Sequence, residues 1–378
     1  MSAVVTSGER CVGTVGPFAV DVPWWAEVEQ VATRLREVLG VPAYVLRLLA
    51  VEGGDGARDG HVTYHVEATG TTASLPAPTL STALLTADDP LRAHWATAAG
   101  LRELFEWARA AVGPLTGPIE QRRTWNLAGL FRLPTADGPV WLKALPPFAA
   151  DEARAMAAIR AVDPTLVPTV LASAPGRLLL ADLPGEDCWH APVDVLANGV
   201  RRFVAAQSVV DAPGLPARSA PAGDVRALLE RDLGLTRAEV AAALALLPRW
   251  RELADCGLPD TVVHGDFHSG NWRGERGGPP VVLDFADAHL GNPVLDGLRL
   301  VDFTAPERRP AVRAVWTAAW RAARPGSDPA RALVVAEPLA HLYYAVRYQE
   351  FLDGIEESER IYHRDDPASS VRAALACA

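Results

Sequence analysis

The spacing of apolar positions changes several times along the chain, and each change marks an element. Val28, Val31, Leu35 and Val38 recur at helical intervals within Trp25–Leu39, and Gly40 closes the run. Cys11–Val22 reads as strand, and Tyr44–Val51 and His61–Ala68 read as a hairpin around Gly53-Gly54-Asp55-Gly56. Thr71–Thr79, rich in Thr, Ser and Pro, reads as loop. A helix is expected over Leu101–Val112. Five strands should follow: Glu120–Asn126, Leu130–Pro134, Pro139–Leu145, Val167–Ala172 and Arg177–Leu183. The Ala-, Glu- and Arg-rich run Ala149–Val162 between the third and fourth is helical. From Val193 the pattern is mostly helical. Thr236–Glu239 is a capping box, Pro248 should split the helix that follows, and helices are expected over Ala311–Ala323 and Pro329–Asp353. One β-branched strand, Thr261–Val263, interrupts this half. It enters a polar loop, and a Gly/Pro turn leads to Val281–Asp284, a hairpin-like arrangement.

The pattern predicts an α+β protein in three parts: a small α+β module over residues 1–100, a five-stranded lobe over 101–185 and a mainly helical lobe over 186–378. The chain has 378 residues, 49% of them hydrophobic, enough for two or three domains. A net charge of −10, from 46 acids and 36 bases, argues against a nucleic-acid partner. No run is apolar over a membrane-spanning length, and the start lacks a basic segment followed by an apolar core. Cys11, Cys188, Cys256 and Cys377 are far apart and make no metal spacing, so they read as reduced thiols of a cytoplasmic protein. Lys143 is the sole lysine; every other strong base is arginine. A lone lysine marks a place where a compact ammonium is wanted and a planar guanidinium is not.

Chemistry concentrates on residues 261–287. Asp266, Asn271 five residues on, and Asp284 in the next apolar run supply two carboxylates and an amide oxygen. Oxygen ligands of this kind suit Mg²⁺, and a carboxylate with no metal to hold suits a substrate hydroxyl. The phosphoryl-transfer template divides the work in this way. A rival trio, His264, Asp266 and His268, has the residue types of a metal-dependent hydrolase. In the five-stranded lobe, the turn near Trp125–Leu130 is where a phosphate-cradling loop would lie, with Asn126 able to help. Glu152, or Asp151 beside it, is placed to pair with Lys143. The run Leu178–Leu183 ends at Pro184-Gly185, a plausible hinge whose backbone at Asp182 and Leu183 would bond a flat base. Asp287, Glu350, Asp353, Glu356 and Glu357 suit an amine-bearing acceptor, or are solvated faces.

His264-Gly265-Asp266-Phe267-His268 with Asn271, followed by Leu283-Asp284-Phe285, resembles the signature of the aminoglycoside phosphotransferase and choline kinase-like family, over residues 115–360. The resemblance implies a bilobal protein-kinase-like fold with an antiparallel five-stranded lobe, and an ATP- and Mg²⁺-dependent transfer of the γ-phosphate to a hydroxyl of a small molecule, with an aminoglycoside-like, amino-sugar or other amine-bearing acceptor expected. It implies that Asp266 acts as catalytic base or hydroxyl-orienting residue and that Asn271 and Asp284 hold the metal. Lys143 would meet the phosphates and pair with Glu152, the backbone near Asp182 and Leu183 would bond adenine, and Asp296 would brace the catalytic loop. A catalytically silent nucleotide-binding protein of the same fold is the alternative from another class. Residues 1–100 are extra to a minimal enzyme of the family, and the expectation is that they buttress the nucleotide lobe.

Overall fold

A computed structural model describes residues 1–8, 10–70, 74–78, 85, 87–219 and 221–378. The ends of the loop expected over Thr71–Thr79 lie outside the described residues. The chain forms two compact units. The first comprises Met1–Phe148, Val170–Asp182 and Phe351–Arg364; the second comprises Ala149–Thr169, Leu183–Glu350 and Asp365–Ala378. The division between Asp182 and Leu183 falls near the boundary expected at 185, whereas residue 100 lies inside the first unit. The chain leaves and re-enters each unit, which a reading in sequence order cannot show.

The first unit holds two sheets. β1 (Ser2–Ser7), β2 (Arg10–Val15), β3 (Tyr44–Glu52) and β4 (His61–Glu67) form one in the order β2-β1-β4-β3, with β1 and β4 parallel. The hairpin of β3 and β4 is the expected one, whereas β1 was not anticipated. The strand expected over Cys11–Val22 stops at Val15, ahead of Gly16 and of Pro17, which has no N–H for a ladder. Helix α1 (Glu29–Leu39) packs Val31, Leu35 and Leu39 into this sheet's core. Helix α2 (Ala98–Val112) precedes β5 (Glu120–Trp125), β6 (Ala128–Thr135), β7 (Gly138–Ala144), β8 (Val170–Ala174) and β9 (Arg177–Ala181). These form the expected five-stranded antiparallel sheet, in the order β5-β6-β7-β9-β8.

Residues 1–100 are not a free-standing module. Strands β3 and β5 are edge strands of their sheets, and they meet through a side chain. Buried Gln121 accepts the Val45 N–H at 2.7 Å and donates to the Val45 carbonyl at 2.7 Å, as a strand would. Thr124 donates its N–H to the Ala26 carbonyl and Val28 donates to that of Arg122, at 3.1 and 3.2 Å. The β5 edge is thus covered, which removes a site for unwanted strand pairing. β3 also feeds both cores: Val45 and Leu48 join that of the first sheet, while Leu46 packs with Phe105, Phe131 and Leu142. The segment Phe351–Arg364 threads into the same unit, with Tyr362 edge-on to Trp25 at 5.7 Å and to Trp125 at 5.8 Å.

The second unit is mainly helical: α3 (Glu152–Val162), α4 (Val193–Gln207), α5 (Ala222–Leu229), α6 (Arg237–Ala245), α7 (Arg249–Ala254), α8 (Val294–Asp302), α9 (Arg309–Ala323), α10 (Pro329–Gly354, whose last turn belongs to the first unit) and α11 (Asp366–Ala376). The capping box of Thr236 and Glu239 is formed, and Pro248 separates α6 from α7 as expected. Short strands position the polar loop. β11 (Thr261–Val263) pairs with β14 (His289–Gly291), and β12 (Trp272–Gly274) pairs with β10 (Glu186–Asp187) and β13 (Val281–Val282). The expected hairpin between Thr261–Val263 and Val281–Asp284 is thus replaced by two separate pairings. The three-residue strand after Asn271 is too short to read from a pattern, yet its Trp272 is fully buried. Among the described residues no helix is long and apolar enough to cross a membrane.

Candidate active site

Apolar side chains anchor the loop between β11 and β12. Phe267 stacks on Phe203 at 4.4 Å, and Phe285 packs on the ring of buried His264 at 4.5 Å. His264 has both ring nitrogens occupied. Its Nδ1 accepts the Asp266 N–H at 3.2 Å, and its Nε2–H donates to the Leu283 carbonyl at 2.7 Å. Burial lowers its pKa, so it is the neutral tautomer that ties the Asp266 loop to the Asp284 turn. The hydrolase trio of His264, Asp266 and His268 is therefore not a metal site: His264 has no nitrogen left to give. Among the described residues no group of three or more His, Cys, Asp or Glu is arranged to hold a metal.

Asp296, on α8, braces the loop from below. Its carboxylate accepts the N–H groups of His264 at 2.9 Å and Gly265 at 3.0 Å, and the Gln207 side-chain amide at 2.8 Å. Burial pushes this carboxyl up to about 7, against three donors that favour its charged form. Gly265 has φ +86°, and a Cβ there would collide with the backbone oxygen of Asp287.

Both oxygens of Asp266 are engaged. Oδ1 accepts from Arg299 Nε at 2.7 Å. Oδ2 accepts from Asn271 Nδ2 at 2.9 Å and faces His268 Nε2 at 3.3 Å. Burial alone would raise the Asp266 carboxyl, but the Arg299 guanidinium and His268 outweigh it and hold it well below the usual carboxylate range. Asn271 also donates Nδ2 to the Asp266 carbonyl at 2.9 Å, so the amide's N–H side is turned to Asp266 and its oxygen away from it. The Leu283 N–H bonds the Asn271 carbonyl at 2.8 Å, linking the two loops. Asp284, one residue on, is exposed with φ +65°, a left-handed conformation beside fully buried Phe285. Non-glycine residues held there cluster at functional sites. Asp266, Asn271 and Asp284 thus lie on loops bonded to each other.

Other expected residues are placed differently. Asn126 does not line a phosphate loop. β5 and β6 are joined by a two-residue turn, and Asn126 is buried in the first unit, donating to the Glu359 carbonyl at 3.4 Å. Asp287 and Glu350 are not open to an amine. Arg347 bonds Asp287 at 2.6 Å, Arg218 grips both oxygens of Glu350 at 2.9 Å, and Arg347 also meets Glu350. Glu356 is buried against Arg47 at 3.0 Å and Arg92 at 3.1 Å, and Asp353 lies in the first unit. The Asp182 carboxylate accepts from Trp141 Nε1 at 2.6 Å, and the Leu183 carbonyl from Arg273 Nε at 2.8 Å. Lys143 lies buried on β7 between Leu130 and Leu178 of the adjoining strands. Asp151 caps α3, bonding the Arg154 N–H at 3.0 Å, while Glu152 beside it is buried. Arg299 was missed. It stands three residues after Asp296 on one helix, and that spacing on a shared face was the available signal.

No curated protein matches the chain. The fold is that of kinases: choline kinase LicA from Streptococcus pneumoniae is similar over 73% of this chain and 99% of its own, with 11% identity and a TM-score of 0.56. A choline/ethanolamine kinase family protein from Mesorhizobium loti is similar over 72% of this chain and 98% of its own, with 17% identity and a TM-score of 0.52. Residues 130–333, more than half of the chain and spanning Lys143, Asp266, Asn271 and Asp284, match the phosphotransferase enzyme family, to which this chain belongs.

Proposed function

We propose that the protein transfers the γ-phosphate of ATP, with Mg²⁺, to a hydroxyl of a small molecule. The observation that carries this reading is the Asp266–Asn271 pair: the amide's N–H side is spent on Asp266, and its oxygen is turned to other work. An amide oxygen plus the exposed Asp284 carboxylate is a donor set for a hard cation that takes its other ligands from phosphates and water. Asn271 and Asp284 would hold the metal, whose charge would offset that of the phosphates. Lys143 serves the phosphates, and the Leu183 N–H and the backbone at Asp182 serve the base. Asp266, held strongly ionised, orients the acceptor hydroxyl rather than drawing its proton early. The arginine partners of Asp287 and Glu350 withdraw the charge that an amine-bearing acceptor such as an amino sugar or aminoglycoside would use. Neutral sugar or nucleoside hydroxyls are favoured instead.

An ADP-release screen over sugars, nucleosides, amino sugars, aminoglycosides and amino alcohols tests both parts. Asp266→Ala should lower kcat by about 100- to 10,000-fold and leave MgADP binding intact. Asp284→Ala should abolish Mg²⁺-dependent turnover. ATP binding with no turnover in the wild type would identify a silent nucleotide-binding protein, and turnover retained in Asp266→Ala would remove that residue's role.

A further inference from the structure

Arg299 has no task in holding nucleotide or metal, yet it is the closest cation to Asp266. Its Nε–H donates to Asp266 Oδ1 at 2.7 Å. Its guanidinium lies over the Phe303 ring at 4.4 Å and the Tyr344 ring at 4.5 Å, and the side chain is 17% exposed. Tyr348 adds a hydrogen bond to it. The Tyr344 hydroxyl donates to the Gly265 carbonyl at 3.1 Å, so a ring that carries the guanidinium is tied to the loop that carries Asp266. A planar cation held over ring faces is partly stripped of water and fixed in orientation. Its bond to Oδ1, opposed by those of Asn271 and His268 to Oδ2, sets the carboxylate's rotation from both ends. A carboxylate oxygen accepts two bonds, so Oδ1 keeps one lone pair after Arg299 has taken the other.

We propose that Arg299 is a positioning residue for phosphoryl transfer, fixing Asp266 so that Oδ1 presents its remaining lone pair to the acceptor hydroxyl. This role rests on the phosphotransferase reading. It makes α8 a two-pronged support three residues apart: Asp296 holds the loop's backbone and Arg299 its working side chain.

The test uses the full chain, with kcat and KM measured on the best acceptor from the ADP-release screen and MgADP affinity measured by calorimetry. Arg299→Ala should lose about 100-fold in kcat, while acceptor KM and MgADP affinity change little. Guanidinium chloride at low, non-denaturing concentration should restore about tenfold of the loss by refilling the place over the two rings. It should do nothing for the wild type or for Asp266→Ala. Arg299→Lys keeps the charge without the flat fork and should stay about tenfold or more impaired. An Arg299→Ala enzyme with wild-type kcat overturns the role. So does full activity in Arg299→Lys, and so does a loss in Arg299→Ala that guanidinium leaves untouched. A wild type that turns over no ATP overturns the phosphotransferase reading, and this role with it; an active wild type with an indifferent Arg299 overturns this role alone.

Discussion

Gly265 has room for a hydrogen and nothing larger. Its φ is +86°, and a Cβ would stand 2.7 Å from the Asp287 Cβ. Gly265→Ala should destabilise the chain by about 1–3 kcal/mol from the left-handed backbone alone, read as a lower urea midpoint at unchanged slope; an unchanged midpoint would mean that the loop relaxes freely. Lys143 makes a different demand. Lys143→Arg puts a longer, planar cation on a buried strand position, and roughly a 100-fold fall in kcat is expected. Wild-type turnover in that variant would make the sole lysine an accident of composition. Residues whose partners are close in sequence were legible from sequence alone. Asp266 and Asn271, five apart, follow from one loop. Arg299 lies 33 residues beyond its partner Asp266, and Arg218 lies 132 before Glu350. Acids bound by such distant arginines look solvent-facing in a sequence, which is why Asp287 and Glu350 read as acceptor ligands.

At the scale of elements, the segment Phe351–Arg364 shows what periodicity misses. It continues from a helix of the second unit, yet it supplies side chains to the core of the first. Its Glu359 is 4% exposed and accepts the Leu48 N–H at 2.6 Å, while Oε2 has no hydrogen-bond partner. Burial pushes this carboxyl up to about 8, with Glu356 raising it and Arg47 opposing. Unfolded, it would titrate near the ordinary value of 4.5. Between those limits the native state keeps a proton that the unfolded chain releases, so stability should fall as pH rises from about 4.5 to about 8. Glu359→Gln keeps an oxygen for Leu48 and replaces the lone oxygen with an N–H donor. It faces the same small cavity as Asn126, whose Oδ1 is also without a hydrogen-bond partner. The variant should flatten the fall and be more stable than wild type at pH 8, by a few kcal/mol at most. Equal slopes of melting temperature against pH for the two proteins would count against a protonated Glu359. The five strands of the second sheet were legible as short runs set off by turn residues such as Ala136-Asp137-Gly138, and one of them, β6, alternates cleanly; this segment was not, because its partners come from β3 and the turn at Asn126.

For the molecule as a whole, residues 1–100 belong to the same compact unit as the five-stranded sheet. Three features tie them to that sheet: Gln121 pairing with Val45, the backbone bonds of Ala26 and Val28 to β5, and Leu46 in the core around Phe131. A chain cut before Leu101 would bare the β5 edge, remove Trp95 and Leu46 from that core, and leave Glu356 without Arg47 and Arg92. Leaving one partner of a buried ion pair behind is itself strongly unfavourable. The truncated protein is therefore expected to aggregate or to bind no MgADP, although it contains every residue assigned to catalysis. Supplying residues 1–100 as a separate polypeptide should recover binding only if the two pieces fold together, since the edges and cores are shared. A truncated chain that stays monomeric, melts cooperatively and binds MgADP like the full chain would show the opposite: that β5 tolerates an open edge, and that the N-terminal sheet serves something other than the lobe it covers.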